Sequence, residues 1–144
     1  MKQFFISEYQ VLEKVLLIDD SDIDNLVNRK VVEKTGLSKS ITVKKSAVSA
    51  FEWLKETAVS EPENIPDMIF LDIRMPETDG FGFLELFEEL PSAIHHKTRI
   101  VMLSSSIDSE DYKRAMDNRF VIHFLNKPLD KEAVFKISKQ LKVL

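Results

Sequence analysis

The sequence predicts a single α/β domain, a doubly wound parallel sheet with helices on both faces. Three observations point there. Five short apolar runs, at 15–18, 41–43, 68–71, 100–103 and 120–125, have the length of strands, and most lack the polar alternation of a half-exposed sheet. Between and after them, apolar residues recur at helical spacing. Strands alternating with helices require right-handed crossovers, which lay helices on both faces of a parallel sheet. The third observation is chemical: four of the runs end in acidic, hydroxyl or amine groups.

Residues 1–13 have no clear period and read as an N-terminal arm, with the domain over 14–142. The first run, Val15-Leu16-Leu17-Ile18, ends at Asp19-Asp20. Ile23, Leu26, Val27 and Val31 then form a helical stripe, and Gly36 stands where a left-handed C-cap is expected. Ile41-Thr42-Val43 is β-branched and alternating, a short edge strand. Ser46 can cap a second helix with Ala47, Ala50, Phe51 and Leu54 on one face, and Trp53 at its border.

The Pro-bearing loop at 61–66 leads to Met68-Ile69-Phe70-Leu71-Asp72, four apolar residues that run straight into an acid. The chain then turns through Pro76 and Asp79-Gly80. A third helix places Phe83, Leu84, Phe87 and Leu90 together, and Pro91 stops it. The fourth strand ends in Ser104-Ser105-Ser106. Asp108 can cap a helix carrying Tyr112, Ala115 and Met116. The fifth strand ends at Asn126-Lys127-Pro128, and Asp130 can cap a last helix with Val134, Ile137 and Leu141. Met75, Met102 and Met116 read as packing residues, His123 as a surface or edge residue, and His95-His96 as a solvent-exposed pair in a polar loop.

Composition narrows the function. With 144 residues, 44% hydrophobic and 31% charged, the chain fits one soluble domain that buries roughly 70% of its unfolded surface. It has no cysteine, so disulfides and thiolate metal sites are excluded, as suits a cytoplasmic protein. No apolar run approaches the ~18 residues of a membrane span, and the start lacks a signal peptide. A net charge of −4 argues against a nucleic-acid binder. The partners expected are proteins or small ions.

If the strands are parallel, Asp19, Asp20, Asp72, Ser104 and Lys127 share one rim of the sheet, where ligands of open α/β sheets bind. Two carboxylates ~5 Å apart repel by roughly 3 kcal/mol at an effective dielectric of 20. Three acids therefore call for a cation, and a hard oxygen-liganded ion such as Mg²⁺ suits a set without His or Cys. Metal, ammonium and hydroxyl together suit the oxygens of a phosphoryl group, with an Asp carboxylate as nucleophile. Asp72 is the expected acceptor.

These segments resemble the receiver domain of two-component response regulators. The carriers are Leu17-Ile18-Asp19-Asp20-Ser21, Phe70-Leu71-Asp72-Ile73-Arg74-Met75-Pro76 with Asp79-Gly80, Val101-Met102-Leu103-Ser104, and Phe124-Leu125-Asn126-Lys127-Pro128. The resemblance implies a flavodoxin-like sheet of strand order 2-1-3-4-5 with five helices. It implies a phosphoryl group arriving from the phosphohistidine of a sensor histidine kinase or phosphotransfer protein. Asp20, Asp72 and the backbone carbonyl of Arg74 would ligate Mg²⁺ directly, and Asp19 would act mostly through metal-bound water. Ser104 and Lys127 would hold the phosphoryl oxygens, with Lys127-Pro128 as a cis peptide. Ser104 and Phe124 would form the switch, and Arg74 and Ser106 would tune the lifetime of the phosphoryl group. The surface expected to change is the helix after strand four, strand five and the last helix, around Tyr112, Phe124 and Val134, with the Phe124 ring already partly inward.

The chain departs from the family at Asn118-Arg119-Phe120-Val121, where a Gly-Ala pair is common. Such a receiver is not itself an enzyme. Asp20-Ser21-Asp22 is also similar to the opening motif of haloacid-dehalogenase-type phosphatases, but that alternative leaves Asp72 and its Met-Pro turn unexplained. A catalytically dead scaffold conflicts with the presence of every site residue. A receiver cut from a hybrid histidine kinase is the other alternative. With the chain used up by one domain, output is expected through docking to a protein or onward relay.

Overall fold

The central apolar runs become strands because both faces of the sheet are buried there, while the edge run at 41–43 is half-buried. A computed structural model describes residues 12–106 and 108–143, with the backbone alone at 141–143. The strands are β1 (Lys14–Ile18), β2 (Ser40–Lys44), β3 (Met68–Asp72), β4 (Arg99–Ser104) and β5 (Val121–Asn126). They form one parallel sheet in the expected order β2-β1-β3-β4-β5. The helices are α1 (Asp22–Thr35), α2 (Ala47–Ser60), α3 (Gly80–Glu88), α4 (Ser92–Lys97), α5 (Ser109–Met116) and α6 (Lys131–Val143), with a 3₁₀ turn at Pro62–Asn64. Of the N-terminal arm, residues 1–11 lie outside the described residues, as does the side chain of Leu141. Leu12 is buried, and its amide donates to Leu37 O at 2.7 Å.

Alternate strand residues feed two cores. Leu16, Ile18, Ile69, Leu71, Ile100 and Met102 pack with Leu54, Phe83, Phe87 and Ile94 under α2, α3 and α4. Val15, Leu17, Met68, Phe70, Val101 and Leu103 pack with Val32, Val134 and Ile137 under α1 and α6. The helix ends follow the sequence: Ser46, Asp79 and Asp108 accept amide bonds from Ser49, Gly82 and Asp111. Asp130 accepts from Ala133 N at 2.8 Å, and Gly36 closes α1 at φ 74°.

Four expectations need correction. The segment after Pro91 is the short helix α4, which gives six α-helices among the described residues where five were expected. Its Ile94 is fully buried, and His95 is half-buried rather than solvent-exposed, with Nε2 2.7 Å from Phe87 O and its ring against Phe87 and Phe120. The apolar stripe of α1 faces outward except at Val31, which packs on the core: Ile23 is 73% and Leu26 54% exposed, while Asn25, Asn28 and Val32 are buried. Met116 is exposed, unlike Met75 and Met102, because α5 turns only Ala115 fully inward.

The turn after β3 also differs from its sequence signal. The left-handed residue is Glu77, at φ 68°, while Gly80 is the first residue of α3. Gly80 is needed for close approach instead. A Cβ there would lie 2.8 Å from Asp72 O and 2.9 Å from Ile73 Cα, both backbone atoms.

Candidate functional site

The carboxyl ends of four strands meet at one rim. Asp72 ends β3 opposite Leu103 of β4, and Ile73 N donates to Leu103 O at 3.0 Å. Asp19 follows β1, tied by its amide to Lys44 O at 3.2 Å. Ser104 ends β4, and Lys127 N donates to Ser104 O at 2.9 Å. The Lys127–Pro128 peptide is cis. All the rim residues singled out in the sequence are brought together.

Asp19 and Asp72 are buried and Asp20 is exposed, so the cluster opens on the Asp20 side. One carboxylate oxygen from each of Asp19, Asp20 and Asp72 lies within 4.8 Å of the other two. Burial pushes the Asp72 carboxyl up to about 6, Asp19 repulsion adds to the rise, and Lys127 works against it. Asp19 is also raised, chiefly by burial, with the Lys127 ammonium opposing. An acidic pocket that resists its own ionisation fits a cation, and hard oxygen donors suit a divalent metal.

Lys127 is the cation already present. Its Nζ lies 2.8 Å from Asp19 Oδ2, 2.7 Å from Asp24 Oδ2 and 3.2 Å from Asp72 Oδ1. Burial disfavours its charge, but the hydrogen bonds to Asp19 and Asp24 and the charge of Asp72 more than compensate, and its pKa is raised. Ser104 is fully buried, and its hydroxyl donates to Ser106 O at 2.7 Å while accepting from Ser106 N at 3.3 Å. The hydroxyl is thus held by its own loop. The Arg74 side chain turns away from the cluster to pair with Asp111 on α5. The Phe124 ring is only 6% exposed, and Tyr112 stacks on it at 6.0 Å and 12°.

Three residues of α1 escaped the sequence reasoning. Asn25 Nδ2 donates to Asp19 O at 2.8 Å, and Asn28 Oδ1 accepts from Leu129 N at 3.3 Å. They hold the β1 end and the segment after Pro128 to one helix. Asp24 reaches Lys127. The available signal was Ser21-x-x-Asp24, an acid three residues after an N-cap. Such an acid normally returns to the cap's amide, but here Asp19 Oδ1 accepts from Ser21 N at 3.0 Å. The Asp24 carboxylate is left for Lys127.

Comparison with known proteins gives this rim its family. The sequence model of the response regulator receiver domain matches residues 15–139. The chain belongs to the response regulator receiver domain family. A two-component response regulator from Cytophaga hutchinsonii superposes with a TM-score of 0.85 at 28% identity, covering 94% of this receiver and 100% of that chain. A response regulator receiver protein from Dyadobacter fermentans gives 0.78 at 32% identity, over 89% and 96%. In sequence, the receiver is 31% identical over 131 residues to a protein-glutamate methylesterase/protein-glutamine glutaminase of Burkholderia thailandensis. That match takes in 89% of this chain and spans about a third, 32%, of the Burkholderia protein. The receiver is homologous to response regulators and to the receiver portions of histidine kinases. No helix among the described residues is long and apolar enough to cross a membrane.

Proposed function

We propose that this receiver accepts a phosphoryl group on Asp72 from a phosphohistidine of a sensor kinase or phosphotransfer protein, with Mg²⁺ as cofactor. The carrying observation is the buried Asp72 carboxylate flanked by two further acids and contacted by Lys127. Asp19, Asp20, Asp72 and the carbonyl of Arg74 would hold the metal. When bound, Mg²⁺ offsets carboxylate repulsion and draws charge from the phosphoryl oxygens.

The protein's own groups do the rest. An Asp72 oxygen attacks phosphorus as the donor's P–N bond breaks, and the imidazole nitrogen keeps that electron pair. Lys127 stands beside the acceptor and supplies a donor to a phosphoryl oxygen. Ser104 leaves Ser106 to supply another. The space it vacates is filled by Phe124, whose buried ring needs only a small further movement. With only 6% of the residue still exposed, burying the rest of that ring contributes ~0.3 kcal/mol, so the inward state is largely reached already. The exposed Ile23, Leu26 and Val27 lie on the helix that opens beside Asp19 and Asp20, which suits docking of a donor protein there. Output runs through α5, β5 and α6 to a protein partner, and the chain turns over no substrate of its own.

Intact-mass measurement with phosphoramidate and Mg²⁺ tests this. The wild-type chain gains one phosphoryl group and Asp72→Asn gains none. A full adduct on the Asn variant, or continued hydrolysis of phosphate esters by the wild type, would overturn the assignment.

A further inference from the structure

We propose that Asp24 is a positioning residue that restrains Lys127, setting the balance between metal binding and phosphoryl acceptance at the rim. The proposal rests on the acceptor role of Asp72 argued above. An ammonium has three N–H donors. Here Asp19 and Asp24 accept hydrogen bonds from it at 2.8 and 2.7 Å, and Asp72 pairs with its charge at 3.2 Å, so the Asp24 contact is the shortest. Asp24 is not one of the three acids gathered for a metal. It approaches from the first turn of α1, with its amide held by Ser21 Oγ at 3.2 Å. Lys127 is therefore pinned between α1 and β3.

The consequences have opposite signs. A phosphoryl group on Asp72 must recruit Lys127. The Asp72 contact is the natural one to give way, because it is the longest at 3.2 Å and phosphorylation turns the carboxylate into an acyl phosphate whose charge sits on the phosphoryl oxygens. Asp24 keeps its own share of the ammonium and leaves a negative charge near the incoming dianion, so it opposes phosphoryl acceptance. For a divalent cation the same two facts help. Asp24 adds negative potential and holds the competing ammonium toward α1. Deleting the charge should speed acceptance and weaken the metal, whereas loss of a merely structural acid would impair both or neither.

The test compares wild type, Asp24→Asn and Asp24→Glu. Asn keeps an acceptor oxygen at the same reach without the charge, and Glu keeps the charge. Rates of adduct formation with phosphoramidate at saturating Mg²⁺ are read by intact mass, and Mg²⁺ affinity by calorimetric titration. Asp24 is 39% exposed at the side chain, so a partly screened pair sets the scale, about two- to fivefold. Asp24→Asn is expected to be faster by about that factor and to bind Mg²⁺ more weakly by a similar one, with Asp24→Glu close to wild type. A wild type that takes no phosphoryl group overturns the acceptor role and this proposal with it. Where the wild type is phosphorylated, a rate for Asp24→Asn equal to or below wild type, or metal affinity and rate falling together, overturns the restraint alone.

Discussion

Replacing Asp72 with Asn should make the metal-free protein more stable at neutral pH. The folded carboxyl is pushed from 3.8 to about 6, first by burial and then by Asp19, with Lys127 only partly offsetting. A rise of that size sets ~3 kcal/mol against the ionised folded state. Folding then takes up a proton between the two values, so the destabilisation is absent below about pH 4 and fully present above about pH 6. Asn cannot ionise but loses the 3.2 Å Lys127 contact, so a net gain of about 2 kcal/mol is expected at pH 7.5. That corresponds to a Tm higher by about 4–8 °C in a chain of this size. Thermal unfolding of both proteins in EDTA at pH 4 and pH 7.5 measures it. The gap should open as pH rises, and Mg²⁺ should narrow it at pH 7.5 by binding the folded wild type. A gap that is the same at both pH values, or a wild type more stable than Asp72→Asn at pH 7.5, would refute the reasoning.

Other substitutions separate the parts of the rim. Asp20→Ala should weaken Mg²⁺ binding more than Asp19→Ala, because Asp20 is the direct ligand proposed above and Asp19 already serves Lys127 and Ser21; titration of the two variants ranks them. Gly80→Ala should cost about 2 kcal/mol in denaturant unfolding and displace Asp72, since its Cβ meets the backbone of Asp72 and Ile73 at 2.8 and 2.9 Å, with Met102 Cε at 3.1 Å. Gly82→Ala should be near neutral by the same assay, because its nearest contact is the movable Thr78 methyl. Arg74→Ala should free Asp111 and raise hydrogen exchange in the first turns of α5 by about two- to fivefold while leaving α2 unchanged.

The sheet was legible because a strand buried on both faces leaves little else for a five-residue apolar run to be. The rim was legible because parallel strands carry their ends to one side, so Asp19, Asp20, Asp72, Ser104 and Lys127 could be placed without knowing any side-chain angle. Helix α1 was legible as a helix from apolar spacing, but its inward face was not. Hydrophobicity picked Ile23, Leu26 and Val27, but the inward face had to serve the carbonyl of Asp19, the amide of Leu129 and the ammonium of Lys127. Buried polar groups demand partners, and here that demand outweighed apolar burial in orienting the helix. Helix α4 was hidden for a different reason. Six residues after a proline show too little periodicity, and Ile94 is the only deeply buried apolar anchor among them.

The contacts of the acceptor region with α5 fall on adjacent residues. Arg74, two residues past Asp72, pairs with Asp111, and Phe124, next to the end of β5, stacks on Tyr112. Both connections therefore load the first turns of a helix that buries only Ala115 fully, so little core packing resists its movement. On the acceptor role proposed above, negative charge added at Asp72 would draw Arg74 back from Asp111, and inward travel of Phe124 would withdraw the face on which Tyr112 rests. Either change loosens α5 in the same sense. A charge on the buried rim is thereby expressed on the exposed side of one short helix, where Tyr112 and Met116 already meet solvent. The reverse also follows from linkage: a partner that binds the displaced form of α5 must favour the phosphorylated form of Asp72 by the same factor.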